Sequence, residues 1–266
     1  MRRVDFSANA PVYDQRHGAV LADALARALT TRLRPGSRIL DIGAGTGRVS
    51  VALARLGFEV IAIEPSIPML QGLREKAGTL SIGGIAAEGS RLPVRDRVVD
   101  AVAVARLLYL VPDWRGLLRE ASRSLRDGGW IFHEWGNGTA DEDWVLIREK
   151  ARALFAEAGF ENAFHPGART ELEVEQYLNQ LGFRVRERID GGPGPVLSVS
   201  DFLVKIESGE VSYVWSVPKE VRDLCLPRLR AWAEAKFDMT RPTPMPAVMQ
   251  WSIYELVPAN RRHSML

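Results

Sequence analysis

The feature that most constrains this chain is a turn of three alternating glycines directly after an apolar run. Residues 39–47 read Ile-Leu-Asp-Ile-Gly-Ala-Gly-Thr-Gly, and an amphipathic stretch follows them. Glycine has no Cβ atom, so Gly43, Gly45 and Gly47 let the backbone turn sharply and let a ligand approach it closely. The pattern predicts a strand, a tight turn and a helix whose first turn favours an anionic group.

An acid at the end of the second apolar run narrows the choice of ligand. Glu64 follows Val60-Ile61-Ala62-Ile63, where a carboxylate can accept hydrogen bonds from both hydroxyls of a ribose. The dinucleotide fingerprint Gly-x-Gly-x-x-Gly places its last glycine inside the helix. Here Arg48 holds that position and Gly47 comes one residue early. The residues therefore predict a pocket for an adenosine-containing ligand, with a spacing unlike the dinucleotide pattern.

Five segments, in the right order, resemble the motifs of class I S-adenosylmethionine-dependent methyltransferases. They are residues 41–47, 64–70, 87–94, 100–114 and 125–130. The resemblance spans roughly residues 9–136, about half of the chain. Motifs of this type recur in methyltransferases of quinone biosynthesis and of secondary metabolism, and that narrowing rests on analogy, because one fold hosts many substrates.

The order of apolar runs and amphipathic stretches predicts an α/β fold. Strands separated by single helices call for a parallel sheet, with ligands at the carboxyl ends of the strands. The resemblance implies a Rossmann-like, mostly parallel sheet of seven strands with helices on both faces. We predict strands at residues 38–43, 58–63, 98–105, 129–135, 183–189 and 248–256, the last two antiparallel, and a weak strand that ends near Glu88.

The second half of the chain reads as an extension of this core. We predict a cofactor-binding core at residues 1–190, a helical insertion at 191–246, and the last core strand and tail at 247–266. Four aromatic residues of the insertion either form a small core of their own or line a lid or an oligomer surface beside an apolar substrate cavity: Tyr213, Trp215, Trp232 and Phe237.

The resemblance implies S-adenosyl-L-methionine as the cofactor and assigns eleven residues to it: Tyr13, Asp41, Gly43, Ala44, Gly45, Glu64, Pro65, Glu88, Gly89, Ala105 and Arg106. In the family, the glycine turn lies against the methionine part. The acid of the second strand holds the ribose, and residues corresponding to Glu88 and Gly89 meet the adenine. Asp41 either organises the turn or meets the methionine ammonium. The end of the fourth strand, at Ala105 and Arg106, often meets that ammonium through a carbonyl group. Tyr13 either closes over the cofactor or simply packs.

The acceptor side carries no general signature, and no catalytic residue is assigned. Methyl transfer from a sulfonium needs an acceptor held in line and water excluded more than it needs covalent help. Tyr109 stands where many relatives have histidine, and it either orients an acceptor or packs. His133 in the fifth strand is either a structural histidine or faces the cleft. The histidines show no spacing typical of metal ligands, so we expect no metal.

Composition sets further expectations. A single cysteine and an N-terminus without the apolar stretch of a signal peptide favour a cytoplasmic protein. A net charge of +2 with scattered arginines indicates no nucleic-acid partner, and no run approaches a membrane span. A homodimer is compatible with the sequence.

The sequence thus predicts an enzyme that transfers a methyl group to oxygen, nitrogen or carbon of a small, apolar or aromatic metabolite. Three alternatives stay open from the sequence: a methyltransferase acting on tRNA or protein, a non-catalytic regulator that binds S-adenosylmethionine, and an oxidoreductase that uses a dinucleotide.

Overall fold

Two compact units make up the chain in this computed structural model. The structure describes residues 23–135, 142–160, 166–190, 196–211, 214, 217–244 and 250–257. The larger unit contains the described residues up to 135, those of 166–190 and those of 250–257. The smaller unit contains the described residues of 142–160 and of 196–244.

Alternating helices and strands follow one another through the first half of the larger unit. They are α1 (Asp23–Arg32), β1 (Arg38–Ile42), α2 (Arg48–Arg55), β2 (Glu59–Ile63), α3 (Ile67–Ala77), β3 (Ile82–Ile85), β4 (Val99–Ala105), α4 (Trp114–Ser124) and β5 (Leu125–Trp135). The chain returns to this unit with α6 (Glu171–Gln180), β6 (Phe183–Asp190) and β9 (Gln250–Leu256).

These strands form one sheet of seven strands in the order β3-β2-β1-β4-β5-β9-β6. The first five strands pair in parallel, with Leu40 opposite Ile61 and Val102. The strand β9 runs antiparallel between β5 and β6, with Phe132 opposite Ile253. The predicted fold class is confirmed, including the antiparallel pair at the end of the chain.

Both faces of the central strands are buried, which is why their sequences read as continuous apolar runs. Successive residues of β1, Ile39 and Leu40, are both completely inaccessible to solvent. The helix α4 covers one face with Trp114, Leu117, Leu118 and Ala121, at the i, i+3, i+4, i+7 spacing of one helix side. The side chain of Asp113 caps this helix by accepting from the amide of Gly116 at 2.9 Å.

The smaller unit is mostly helical. It contains α5 (Glu142–Glu157), α7 (Val199–Glu207), α8 (Lys219–Lys236) and a short antiparallel pair, β7 (Val196–Leu197) with β8 (Thr243–Pro244). Its core packs Trp144 edge-on against Phe202, with ring centroids 4.7 Å apart. Cys225 is buried in the same core, with its sulfur 3.3 Å from the carbonyl oxygen of Leu154.

Trp232 and Phe237 are two of the four aromatic residues for which a local core was one of the two predicted roles. They pack edge-on against each other, and both pack against this core. Tyr213 and Trp215 lie outside the described residues. Residues 142–160 group with this unit, so the helical region is larger than residues 191–246 alone. Whether that segment is a lid or an oligomer surface stays a prediction.

Candidate functional site

The glycine turn after β1 has a backbone that other residues rarely adopt. The φ angles of Gly43, Gly45 and Gly47 are 75°, 56° and 90°. A Cβ atom at Gly43 would lie 2.6 Å from a methyl carbon of Leu107, and one at Gly47 would lie 2.9 Å from the side chain of Leu73. The turn therefore requires glycine both for its conformation and for its close packing.

The amide groups of this turn are largely used within the protein. Gly43 and Ala44 both donate to the carbonyl oxygen of Ile63, at 2.8 and 3.0 Å. Gly47 donates to the carbonyl oxygen of Ala44 at 2.9 Å. A pyrophosphate-binding turn needs its amide groups for phosphate oxygens. Here these groups shape the turn instead, which suits a ligand without phosphate.

Glu64 joins the turn to the end of β2. One carboxylate oxygen accepts from the amide of Gly45 at 3.0 Å and the other accepts from the amide of Ser66 at 2.9 Å. The side chain is almost completely buried, and this desolvation raises the pKa of Glu64 despite the two amide donors. A carboxylate fixed in this way is pre-organised at the strand end where the sequence predicts ribose binding.

Asp41 lies at the carboxyl end of β1 and is completely buried. It accepts two hydrogen bonds from Ser50, one from the hydroxyl group at 2.6 Å and one from the backbone amide. Burial nevertheless raises the pKa of Asp41 to about 6. These contacts connect β1 to α2, the two elements that flank the glycine turn.

A buried ion pair connects the start of α2 to the end of β5. The guanidinium of Arg48 contacts one carboxylate oxygen of Glu134, whose side chain is fully inaccessible. The backbone carbonyl of Glu134 also accepts from the amide of Arg106 at 2.9 Å. The other carboxylate oxygen of Glu134 is buried and has no hydrogen-bond partner in the described part of the chain.

Arg106 has a left-handed backbone, with φ at 53°, which is rare for a residue with a side chain. Its guanidinium hydrogen bonds to the phenol of Tyr109, whose ring packs edge-on against Trp135 at 5.8 Å between centroids. Burial is the main cause that raises the pKa of Tyr109. The phenol therefore stays protonated and can donate a hydrogen bond, but it is poorly suited to act as a base.

The loop that carries Tyr109 is held by a second segment of the chain. The amides of Gly167 and Ala168 donate to the carbonyl oxygens of Tyr109 and Leu108, at 3.1 and 3.0 Å. A Cβ atom at Gly167 would lie 2.0 Å from the carbonyl oxygen of Leu108. Only glycine permits this approach of the two backbones, and nothing in the sequence analysis singled out this residue.

His133 is buried, and burial lowers its pKa to about 3. Its ring packs edge-on against Trp135 at 5.9 Å between centroids. Neither ring nitrogen has a hydrogen-bond partner among the residues that the structure describes. The histidine is therefore neutral, and that its role is purely structural stays a prediction.

Most of the predicted cofactor residues meet at one edge of the sheet. Glu64 contacts the turn formed by Gly43, Ala44 and Gly45, and it interacts electrostatically with Asp41 and Glu88. Gly89 packs so closely on Ile42 that a Cβ atom would lie 2.6 Å from it. Ala105 is the last residue of β4, and Arg106 follows it at the same edge. Pro65 is exposed beside Glu64, and Tyr13 lies outside the described residues.

No role was predicted for Ser50 or Glu134, and Arg48 was noted only as a departure from the dinucleotide spacing. The place of Glu134 at the end of the fifth strand is readable from the sequence, since carboxyl ends of parallel strands share one edge. The contact with Arg48 could not, because 86 residues separate the pair in the chain.

Three further observations concern metal ligands, membrane-spanning helices and cavities in the described residues. The described residues contain no group of acids, histidines and cysteines that could hold a metal ion. None of the described helices is long and apolar enough to cross a membrane. A cavity of about 690 Å³ lies between α3 and the edge strand β3, lined by Leu70, Arg74 and Ile82, and it contains none of the predicted cofactor residues.

Comparisons with known proteins agree with this geometry. Residues 40–133 match a family described as a methyltransferase domain. An uncharacterized methyltransferase of Mycobacterium tuberculosis is 38% identical over 113 residues, which cover 42% of this chain and 44% of that protein. A demethylmenaquinone methyltransferase of Mycobacterium marinum is 37% identical over 98 residues, which cover 37% of this chain and 41% of that protein. The chain thus spans less than half the length of these curated relatives.

The fold comparison covers more of the chain than the sequence matches do. A crystal structure from Bacillus halodurans, assigned as a methyltransferase, superimposes with a TM-score of 0.63 at 15% identity. It covers 89% of this chain and 100% of that one. At this identity the likeness concerns the fold alone.

Proposed function

We propose that this chain, whose residues 40–133 match a methyltransferase domain family, transfers a methyl group from S-adenosylmethionine to a small molecule. The observation that carries the proposal is the pairing of the glycine turn with Glu64. The turn uses the amides of Gly43, Ala44 and Gly47 internally, and a buried carboxylate faces it. This arrangement suits an uncharged ribose and a cationic centre better than it suits a pyrophosphate.

The residues present fit the cofactor. Glu64 would hold the ribose, the neighbouring Pro65 would flank it, and Glu88 with Gly89 would meet the adenine. The turn at Gly43, Ala44 and Gly45 would lie under the methionine part, near Asp41, Ala105 and Arg106. We retain Tyr13 as a proposed contact that closes over the cofactor.

The cofactor supplies a methyl group on a positively charged sulfur, which leaves as a neutral thioether. The protein therefore has to orient the acceptor and exclude water rather than activate the methyl group. Arg106 and Tyr109 lie at the end of β4, where they can orient an acceptor oxygen through a cation and a phenol proton. His133 does not serve as a base in this proposal, because it is buried and its pKa is low.

The acceptor that we propose is small and apolar or aromatic, in keeping with a demethylmenaquinone methyltransferase among the relatives. We propose a cytoplasmic enzyme, and a homodimer remains compatible with it. Transfer to tRNA or protein and a non-catalytic regulator remain the alternatives. Incubation of a cell extract with cofactor carrying a tritiated methyl group separates them by the fraction that becomes labelled: small metabolites, RNA, protein or none.

Isothermal titration calorimetry tests the cofactor directly. We expect S-adenosylhomocysteine to bind with micromolar affinity and NAD to give no heat. The variant E64Q should weaken binding at least 10-fold, because a charge-assisted hydrogen bond is worth roughly 1.5–3 kcal/mol. The control variant E59A changes the same strand at its other end, where Glu59 is half exposed and pairs with Arg38. NAD binding with no response to S-adenosylhomocysteine would overturn the proposal.

A further inference from the structure

The carboxylate of Glu134 lies at the edge of the sheet where we propose that the cofactor binds, and one of its oxygens has no hydrogen-bond partner among the described residues. Its side chain is fully inaccessible, one oxygen contacts Arg48, and the other oxygen has no partner among the described residues. Burying a carboxylate oxygen without a hydrogen-bond donor costs free energy, and most buried polar atoms in proteins do have a partner. The structure therefore points to a donor that arrives with a ligand.

The strand order gives the direction from which a ligand would reach this oxygen. Glu64 follows β2, the glycine turn follows β1, Arg106 follows β4 and Glu134 lies at the end of β5, and these strands are consecutive neighbours. Adjacent strands lie about 4.8 Å apart. Glu88, the proposed adenine contact, follows β3 on the far side of Glu64. A ligand with its adenine near Glu88 and its ribose at Glu64 would extend its remaining chain towards β4 and β5.

We infer that Glu134 binds the α-ammonium group of the cofactor through its open oxygen, while Arg48 positions the carboxylate by holding the other oxygen. The inference rests on the proposed function and deepens it. An ammonium group is a donor with positive charge, which is the best match for a desolvated carboxylate. Arg48 is a positioning residue here, since the first residue of α2 fixes the end of β5 relative to the glycine turn.

Asp41 is the competing acid at this edge, and its contacts assign it another task. It accepts from both the hydroxyl group and the backbone amide of Ser50 in α2, so the carboxylate joins β1 to that helix. Glu134 differs because one of its oxygens has no donor among the described residues.

The test compares two ligands that differ only at the proposed contact. Calorimetry measures the affinity of the wild-type protein and of E134Q for S-adenosylhomocysteine and for the analogue with hydrogen in place of its α-amino group. We expect the wild type to prefer the amino compound at least 10-fold. In E134Q this preference should fall to within about 2-fold, while the affinity for the deaminated analogue stays nearly unchanged. The ratio of two affinities within one variant cancels any general effect on folding.

Three control variants complete the experiment. R48M should reduce the preference and R48K should restore a large part of it, whereas D41N should keep it. A preference that survives in E134Q, or one that is lost in D41N instead, overturns the inference. If the wild type binds neither compound, the proposed function itself fails. Binding of both compounds with equal affinity by the wild type would refute only the role of Glu134.

Discussion

Three carboxylates at the edge of the sheet are buried in different surroundings, and these surroundings give them different tasks. Asp41 accepts from Ser50, Glu64 accepts from two backbone amides, and Glu134 contacts Arg48 with one oxygen. For Asp41 and Glu64, burial raises the pKa, and the donors that hydrogen bond to these carboxylates oppose that effect. The same buried carboxylates therefore bear both on the stability of the protein and on the cofactor binding that we propose.

The first prediction concerns the pH dependence that Asp41 confers on stability. Burial raises its pKa from 3.8 in the unfolded chain to about 6 in the native protein. The native state then holds its proton more tightly, so the stabilising contribution is complete below pH 3.8 and is lost as the pH rises through about 6. Urea unfolding between pH 4 and pH 7.5 should show wild-type stability falling relative to D41N as pH increases.

Other titrating groups are common to both proteins and cancel in this comparison. A difference between wild type and D41N that stays constant over the whole range would show that Asp41 keeps an ordinary pKa in the native state.

The second prediction separates backbone strain from crowding in the glycine turn. Gly43 and Gly36 both have φ near 80°, but a Cβ atom has open space at Gly36 and meets Leu107 at 2.6 Å at Gly43. We expect G36A to lower the free energy of unfolding by about 1 kcal/mol and G43A by about 2–3 kcal/mol. G43A should also lose affinity for S-adenosylhomocysteine, which G36A should retain. Equal effects on both measurements would contradict a special role for the turn.

At the scale of helices and strands, local sequence was a good guide wherever it had a strong period. The glycine-containing strand Ile82–Ile85 formed although its apolar pattern is weak, because it pairs with β2. β5 begins at Leu125, four residues before the predicted start, since Leu125 pairs with Val99 across an irregular register. The pair of two-residue strands β7 and β8 was missed, because no sequence period exists over two residues.

The third prediction concerns the crossing of two loops at Gly167. The backbone oxygen of Leu108 would lie 2.0 Å from a Cβ atom there, and a backbone yields less easily than a side chain. We expect G167A to lower the free energy of unfolding by about 2–4 kcal/mol. The matched control is G83A in an edge strand, where a Cβ atom meets open space and should change stability by less than about 0.5 kcal/mol.

Thermal and urea unfolding of both variants measure this difference. A G167A protein as stable as G83A would show that the contact between residues 166–168 and the loop of Tyr109 is not as close as the structure has it.

At the scale of the whole molecule, the balance of charged residues gives information about binding partners rather than about the fold. The chain carries 35 basic and 33 acidic residues, and many arginines are engaged with acids on the surface, as in the pairs Arg230–Glu207 and Arg123–Glu120. An arginine neutralised in this way contributes little to the basic face that nucleic acids require, so we predict weak binding of nucleic acid.

The fourth prediction follows from this balance. Protein purified at 150 mM salt should show the absorbance ratio at 260 and 280 nm of a protein free of nucleic acid, and it should not retard tRNA in a gel at micromolar concentration. Retention of RNA after a high-salt wash would favour the tRNA methyltransferase alternative over a small-molecule acceptor.

The sequence by itself determined the succession of the main-sheet strands and their helices along the chain, the class of the fold, and the position of the glycine turn with the acid after β2. These follow from short-range rules: apolar periods, glycine conformation and the fact that strand ends share an edge. The tertiary structure alone decided the partners of Asp41, Arg48 and Glu134. It also decided the close approach of Gly167 to the backbone of Leu108 and the inclusion of residues 142–160 in the smaller unit. Burial and contact depend on residues far apart in the chain, and no local pattern encodes which of two buried acids keeps an oxygen without a donor.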